Sequence, residues 1–331
     1  MAKEKPKLNP KENHSAGRKP TISIIGAGRL GGALALALAE QGYVVEGLMA
    51  RRLSRAKRVG KLLKRRTIAL SEKQLNQLPS SDLILITTPD DVIDSIAHRV
   101  AETQNGMRGQ RTVLHTSGAL SSKVLSPLAE VGFGTGSLHP LLSVSDPAIG
   151  AANLRGAFFC LEGERSALRV GRQVVRDLGG HSFSIAPGNK ALYHAAAVMA
   201  SGHVTALLDI AIEMLARCGL SERHAREVLL PLVASTVANL SMKEPARALT
   251  GTFARGDVAT VERHLAAIEK ESLPEALAAY ALLGRRSLSL AKQESPRAVA
   301  VDQIFRMLTR AVAEKKDKHP IHEPTQNKIV S

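Results

Sequence analysis

The feature that most constrains this chain is residues 21–52, TISIIGAGRLGGALALALAEQGYVVEGLMARR, which read as strand, glycine turn, helix and second strand. Thr21-Ile-Ser-Ile-Ile25 is a β-branched run suited to a buried parallel strand. Gly26-Ala-Gly28-Arg29-Leu30-Gly31 follows directly with G-x-G-x-x-G spacing and opens an Ala/Leu-rich helix. In that setting Gly26 permits a tight turn, Gly28 lets the backbone approach a diphosphate, and Gly31 lets helix and strand pack closely. Free N–H groups at the helix start, with its positive dipole end, favour an anion. Gly42 suits a left-handed stop to the helix, and residues 43–49 supply the second strand. On its own the spacing is a glycine-rich turn; in this full context it predicts dinucleotide binding.

Length and composition set the frame around that motif. A chain of 331 residues has room for about two domains. With aromatics at 3% and no Trp, the core must be built from Leu, Ala, Val and Ile, which favours helices packed through small residues. Cys160 and Cys218 lie far apart without metal-ligand spacing, so reduced thiols, no metal and a cytoplasmic location are expected. No apolar run is read as reaching the roughly 18 residues of a membrane span, and the basic start lacks a signal-peptide core.

The net charge of +15 raises a nucleic-acid reading, and its distribution argues against one. Residues 1–20 carry six Lys/Arg against two acids, and residues 51–66 carry nine and none, so the two segments hold 13 of the 15 charges. The remainder is nearly balanced, and no aromatic platform interleaves with the basic run. Residues 1–20 read as a disordered basic tail and 51–66 as a solvated helix with a phosphate contact.

Farther along, 67–70 reads as a short strand and 82–88 as a clear one, ending in Thr87-Thr88-Pro89. Ligands of parallel sheets sit beyond the carboxyl ends of the strands, so these three residues are placed for the cofactor; a capping turn for the helix at 90–101 explains them equally well. Strand 111–115 leads into His115-Thr116-Ser117-Gly118, placed for substrate or nicotinamide. His139, fixed before Pro140, is a proton donor, a substrate ligand or a group bonded to a nearby carbonyl. Strands at 157–161 and 181–185 flank a helix at 164–178. Beyond 187–189 only helical periodicity remains, over 191–218, 221–240, 257–268, 275–290 and 297–315. The first of these is apolar nearly all round and is expected to be buried between domains or in a dimer interface. Lys190 and His194 share a face at its head and form a candidate acid/base pair; a surface lysine with a core histidine is the plainer reading. Arg255, in the loop 248–257, is either a carboxylate clamp or a partner of Asp257. The domains expected are 1–20 tail, 21–187 nucleotide-binding, 188–315 helical and 316–331 polar tail.

The glycine fingerprint, LHTSGAL (114–120), SLHPL (137–141), KALYHAAAVMASGHV (190–204) and LTGTFARGDVATVERHL (249–265) together resemble the Rossmann-like proteins with the domain of unknown function 2520. That group is similar to the 6-phosphogluconate dehydrogenase-like superfamily. The resemblance implies an α/β Rossmann dinucleotide-binding domain, an all-α 6-phosphogluconate dehydrogenase-like C-terminal domain, and a homodimer built through the latter. It places Lys190 where β-hydroxyacid dehydrogenases keep a catalytic lysine, with His194 at their asparagine position and Thr116-Ser117-Gly118 near their substrate turn. Gly202 and Thr252 depart from the group's usual Asn and Pro.

Coenzyme preference follows from charge. NAD sites place an acid near the end of the second strand, whereas here Arg51 and Arg52 stand there and Glu46 lies mid-strand. Two guanidiniums suit a 2′-phosphate, so NADP(H) is expected over NAD(H). The expectation is an NADP-dependent oxidoreductase on a small carbonyl, imine or hydroxy acid in the interdomain cleft; the alternative is a non-catalytic NADP(H)-binding sensor or scaffold.

Overall fold

The computed structural model describes residues 18–104, 111–294 and 298–316, so most of both expected tails lies outside the described residues. Eight strands form one sheet in the order β3-β2-β1-β4-β5-β6-β7-β8. They are β1 (Thr21–Ile25), β2 (Val44–Ala50), β3 (Ile68–Ser71), β4 (Leu83–Ile86), β5 (Thr112–His115), β6 (Gly134–Pro140), β7 (Phe158–Gly163) and β8 (His181–Phe183). Every pairing is parallel except β6 with β7. The helices of the sheet-bearing unit are α1 (Arg29–Glu40), α2 (Leu53–Gly60), α3 (Ile93–Gln104), α4 (Ser126–Glu130), α5 (Pro147–Asn153), α6 (Arg165–Asp177) and α7 (Lys190–Ala200).

Strand alternation sorts the apolar side chains into two cores. Ile22, Ile24, Leu83, Leu85, Phe159 and Leu161 join α1, α2 and α6 on one face. Ile25, Ile84, Ile86 and Val113 join α3 and α4 on the other. The strands β1 and β4 are buried on both faces; β4 is accordingly an unbroken apolar run, while in β1 the buried hydroxyls of Thr21 and Ser23 bond Asp82 and Ser81. Truncating Leu85, fully buried between its neighbours, to Ala costs roughly 2–5 kcal/mol. Helix α1 ends where Gly42 takes φ +84, a conformation glycine adopts without strain.

The chain divides into two compact units after Ala200. The second unit holds α8 (Gly202–Arg217), α9 (Glu222–Met242), α10 (Pro245–Ala248), α11 (Thr252–Arg255), α12 (Val258–Lys270), α13 (Pro274–Glu294) and α14 (Ala298–Lys316). Its core gathers Val261, Leu265, Leu277, Ala281, Ile304 and Leu308.

Three expectations need correction. The apolar stretch at 191–218 is two helices, because Ser201 leaves helical geometry at φ -129, ψ -75. Within the single chain its side chains are largely exposed, Leu192 and Met199 at 76% and 66%. The segment Pro187–Arg217 is long and apolar enough to cross a membrane by length and composition alone, contrary to the reading that no run reaches that length. The loop expected at 248–257 follows the end of α10 and contains α11, closed by Gly256 in the left-handed region.

Candidate functional site

The glycine turn lies where β1, β2 and β4 end. Gly26 and Ala27 donate their N–H groups to the Met49 carbonyl, both at 2.8 Å. Thr87 holds the turn from the β4 side, its hydroxyl donating to the Gly26 carbonyl at 2.8 Å. The glycines are required by space. Gly26 has φ +111, and a Cβ there would lie 2.7 Å from the Thr87 carbonyl carbon. A Cβ on Gly31 would overlap the Gly26 carbonyl oxygen and Thr87 Oγ1. Gly28 is different: a Cβ there meets only the Gly26 carbonyl, at 3.7 Å, so its side is open for approach.

The first turn of α1 has no side-chain cap and no acidic residue, leaving Arg29, Leu30 and Gly31 to present N–H groups. Beside it Thr88 Oγ1 is buried without a hydrogen-bond partner. An uncapped helix start, a glycine cradle and an orphaned hydroxyl fit a diphosphate. At the β2 tip, Arg51 and Arg52 are exposed and Arg52 leads into α2. Glu46 sits within β2, its carboxylate accepting from Ser81 Oγ at 2.6 Å, so it is not a tip residue. Pro89 follows Thr88 and precedes a short 3-10 turn at 90–92.

A second cluster lies where β5 ends, against Ser137 and His139 within β6. Lys190, at the head of α7, is only 1% exposed. Its Nζ donates to the Ser117 carbonyl at 2.9 Å and to Ser137 Oγ at 2.8 Å. Burial lowers its pKa, opposed by Cys160, Glu162 and Asp90. Burial pushes the Cys160 thiol up; the thiol therefore stays protonated at neutral pH, and Lys190 draws its compensation from the Glu162 and Asp90 carboxylates. Glu162 is itself fixed, accepting from the Ser122 N–H and from Ser122 Oγ.

One turn along α7, the Tyr193 hydroxyl and His139 Nδ1 form a 2.7 Å hydrogen bond. The His139 and His194 rings meet edge to face at 5.5 Å. His139 is pulled down to about 4 by burial first, then by the Lys190 and His194 charges. Gly118 makes this meeting possible, since a Cβ there would run into His194 Nδ1 and lie 2.9 Å from His139 Nε2. His194 Nδ1 is buried without a partner.

Lys190, His194, His139, Ser117 and Gly118 come together as one cluster; the plainer reading of Lys190 as a surface residue is reversed. Ser117 contributes its carbonyl, because its hydroxyl donates to Asp90 at 2.8 Å and accepts from the Ala119 and Leu120 N–H groups. His115 is fully buried, with Nδ1 accepting from the Ser117 N–H at 3.2 Å. Burial and Lys190 lower it to about 3 against a raising contact from the Ser121 backbone. Thr116 is buried and bonds the Ile86 carbonyl at 3.4 Å. Arg255 belongs to α11 of the second unit and interacts electrostatically with Asp257, which caps α12 through Thr260.

Ser137, Asp90, Cys160 and Glu162 escaped the sequence reading. Ser137 stood within the SLHPL motif, two residues before His139 on one strand face. Cys160 becomes a neighbour only through the antiparallel register that sets it opposite His139; no local pattern announces that pairing.

Residues 157–287 match the family model for the domain of unknown function 2520, and residues 8–140 match a Rossmann-like domain. No curated protein matches the chain. Among solved structures it is similar to a candidate NADP oxidoreductase from Bacteroides fragilis, at 20% identity and a TM-score of 0.66, covering 82% of this chain and 98% of that one. A Thermotoga maritima protein gives 21% identity and a TM-score of 0.56 over 89% of this chain and all of that one. The Plasmodium falciparum pyrroline carboxylate reductase, solved with NADP bound, gives 13% and 0.52 over 87% and 98%. At these identities the likeness is one of fold. The two family models identify the chain as one with a Rossmann-like domain over residues 8–140 and the domain of unknown function 2520 over residues 157–287.

Proposed function

We propose that this protein is an NADP(H)-dependent oxidoreductase acting on a small carbonyl, imine or hydroxy acid. The observation that carries the reading is the buried Lys190 ammonium at the carboxyl end of β5, bonded to Ser117 and to Ser137 of β6, in the same unit as an uncapped, glycine-cradled helix start. The glycine turn and the α1 N–H groups would hold the coenzyme diphosphate, and Arg51 and Arg52 its 2′-phosphate. The similar structures whose descriptions mention NADP support that choice. When bound, the coenzyme supplies or takes a hydride.

The chain's own part is to manage the proton. Ser117 and Ser137 take two of the three Lys190 donors and aim the ammonium. The third is available to a substrate oxygen or nitrogen, and partial desolvation eases proton release. His139, neutral and held by Tyr193, orients the substrate; His194 is the second proton-handling group. A cytoplasmic homodimer formed through the helical segments completes the proposal.

A second reading has one observation in its favour: both Lys190 bonds also suit a strut tying α7 to the sheet, as in an NADP(H)-binding sensor or scaffold. One experiment separates them. NADPH is titrated by fluorescence, and 2-oxo acids, cyclic imines and 3-hydroxy acids are screened for coenzyme absorbance change. Lys190→Met is expected to lower turnover at least 100-fold while leaving NADPH affinity within about twofold. Binding without turnover of any of them, and ligand responses unchanged in Lys190→Met, would favour the sensor.

A further inference from the structure

The charge outside the two basic segments is not evenly spread. Helix α6 carries Arg165, Arg169, Arg172 and Arg176, all exposed, on one face. They line an open groove of about 450 Å³ together with Leu168. Their offsets of four, three and four residues place them in a row about 16 Å long, with steps of about 4.5–6 Å. Helical residues at these spacings share a side. Among the described residues none of the four is paired with a carboxylate. The acids at the ends of the helix are engaged elsewhere: Glu164 accepts from Thr135 Oγ1, while Asp177 accepts from Tyr43 and Gln173 and pairs with Lys19. A row of like charges four and three residues apart is locally unfavourable in a helix. The sequence nonetheless keeps four arginines in that row and commits both neighbouring acids to other partners.

We propose that this arginine row is a docking surface for the phosphate backbone of a nucleic-acid duplex, read without regard to sequence. Guanidiniums clamp phosphate oxygens in bidentate fashion, and all four cations are Arg rather than Lys. A rigid row with steps of a few ångströms follows a phosphate strand better than it follows a folded acidic protein. The apolar side of α6 (Ala167, Val174, Val175) is buried in the sheet core, so the helix cannot lay an apolar face into a bilayer. No aromatic side chain lines the groove, which favours duplex backbone over stacked single strands. The exposed ring nearby in sequence, Phe158, alternates with the core residue Phe159 and so points from the opposite sheet face. This surface is separate from the glycine turn and does not depend on the oxidoreductase reading.

The test uses the full chain and a fluorescein-labelled 25-base-pair duplex, as DNA and as RNA, followed by anisotropy at 50 and 200 mM salt. Four phosphate contacts predict a log–log slope of about −3.6, hence roughly 100-fold weaker binding at the higher salt. The variant Arg165→Gln/Arg169→Gln/Arg172→Gln/Arg176→Gln is expected to lose that binding with an unchanged far-ultraviolet spectrum, glutamine being a comparable helix former. Should it fail to fold, the paired variants Arg165→Gln/Arg169→Gln and Arg172→Gln/Arg176→Gln are each expected to halve the slope. Saturating NADPH should leave the binding intact. The proposal is overturned by any of three results: no binding at 50 mM salt, full binding by the folded α6 variants, or retention on phosphatidylserine vesicles without retention of duplex. Competition by NADPH would instead assign binding to the 51–66 segment and overturn it as well.

Discussion

Lys190 is the residue on which the chemistry of the first unit converges, and its surroundings explain why two histidines beside it stay neutral. His115 and His139 sit at about 3 and about 4 because burial and a neighbouring cation both penalise imidazolium. The unfolded chain takes up protons at these positions below pH 6.5, while the native chain does so only near the lowered values. Stability is therefore full above pH 6.5 and falls as pH drops toward 4 and then 3, by up to about 1.4 kcal/mol per pH unit for each imidazole. Urea midpoints at pH 7 and 4.5 should reveal the loss. His115→Asn keeps an acceptor for the Ser117 N–H and removes one titration, so its midpoint should fall by distinctly less between those pH values. An equal fall in both proteins would remove His115 from this account.

Among the elements, the β1–turn–α1 unit was legible because everything it needs lies within a few residues. The apolar run, the glycine offsets and the helix stop at Gly42 are local statements, and the structure realises each. The break at Ser201 was not read from periodicity, which runs on across it; its local sign is the Ser201-Gly202 pair, where helices kink. Nor was the burial of Lys190, which depends on Ser117 and Ser137, residues 73 and 53 positions away. Short helices α10 and α11 lacked the length for a periodic signal. The tip of β2 carries the prediction for this scale. Arg51→Ala/Arg52→Ala should weaken NADPH roughly 10- to 100-fold, the worth of one or two charge-assisted bonds, and leave NADH nearly unchanged. Parallel losses for both coenzymes in fluorescence titrations would remove these arginines from 2′-phosphate selection.

For the molecule as a whole, exposed apolar residues are the feature that a single chain leaves unexplained. On α9, Leu232 and Met242 are 62% and 81% exposed, and Val237 joins them. At offsets of five residues these side chains stand on different sides of α9, and an apolar helix that its own chain leaves uncovered all round calls for a partner, in keeping with the proposed homodimer. Light scattering should give about twice the chain mass for the native protein and the single-chain mass for Leu232→Glu/Val237→Glu, with helical content retained. A native protein that scatters as one chain would dispose of the dimer.

Strand β7 also couples two tasks. Its odd positions, 159 and 161, fill the core beneath α6; its even positions, 160 and 162, face the lysine. Sliding this strand by a single residue against β6 would preserve every ladder bond in kind, yet turn a phenyl ring toward the ammonium and bury a carboxylate in hydrocarbon. Solubility of the sheet and competence of the lysine thus share one alignment, and drift at either set of positions is policed by the other.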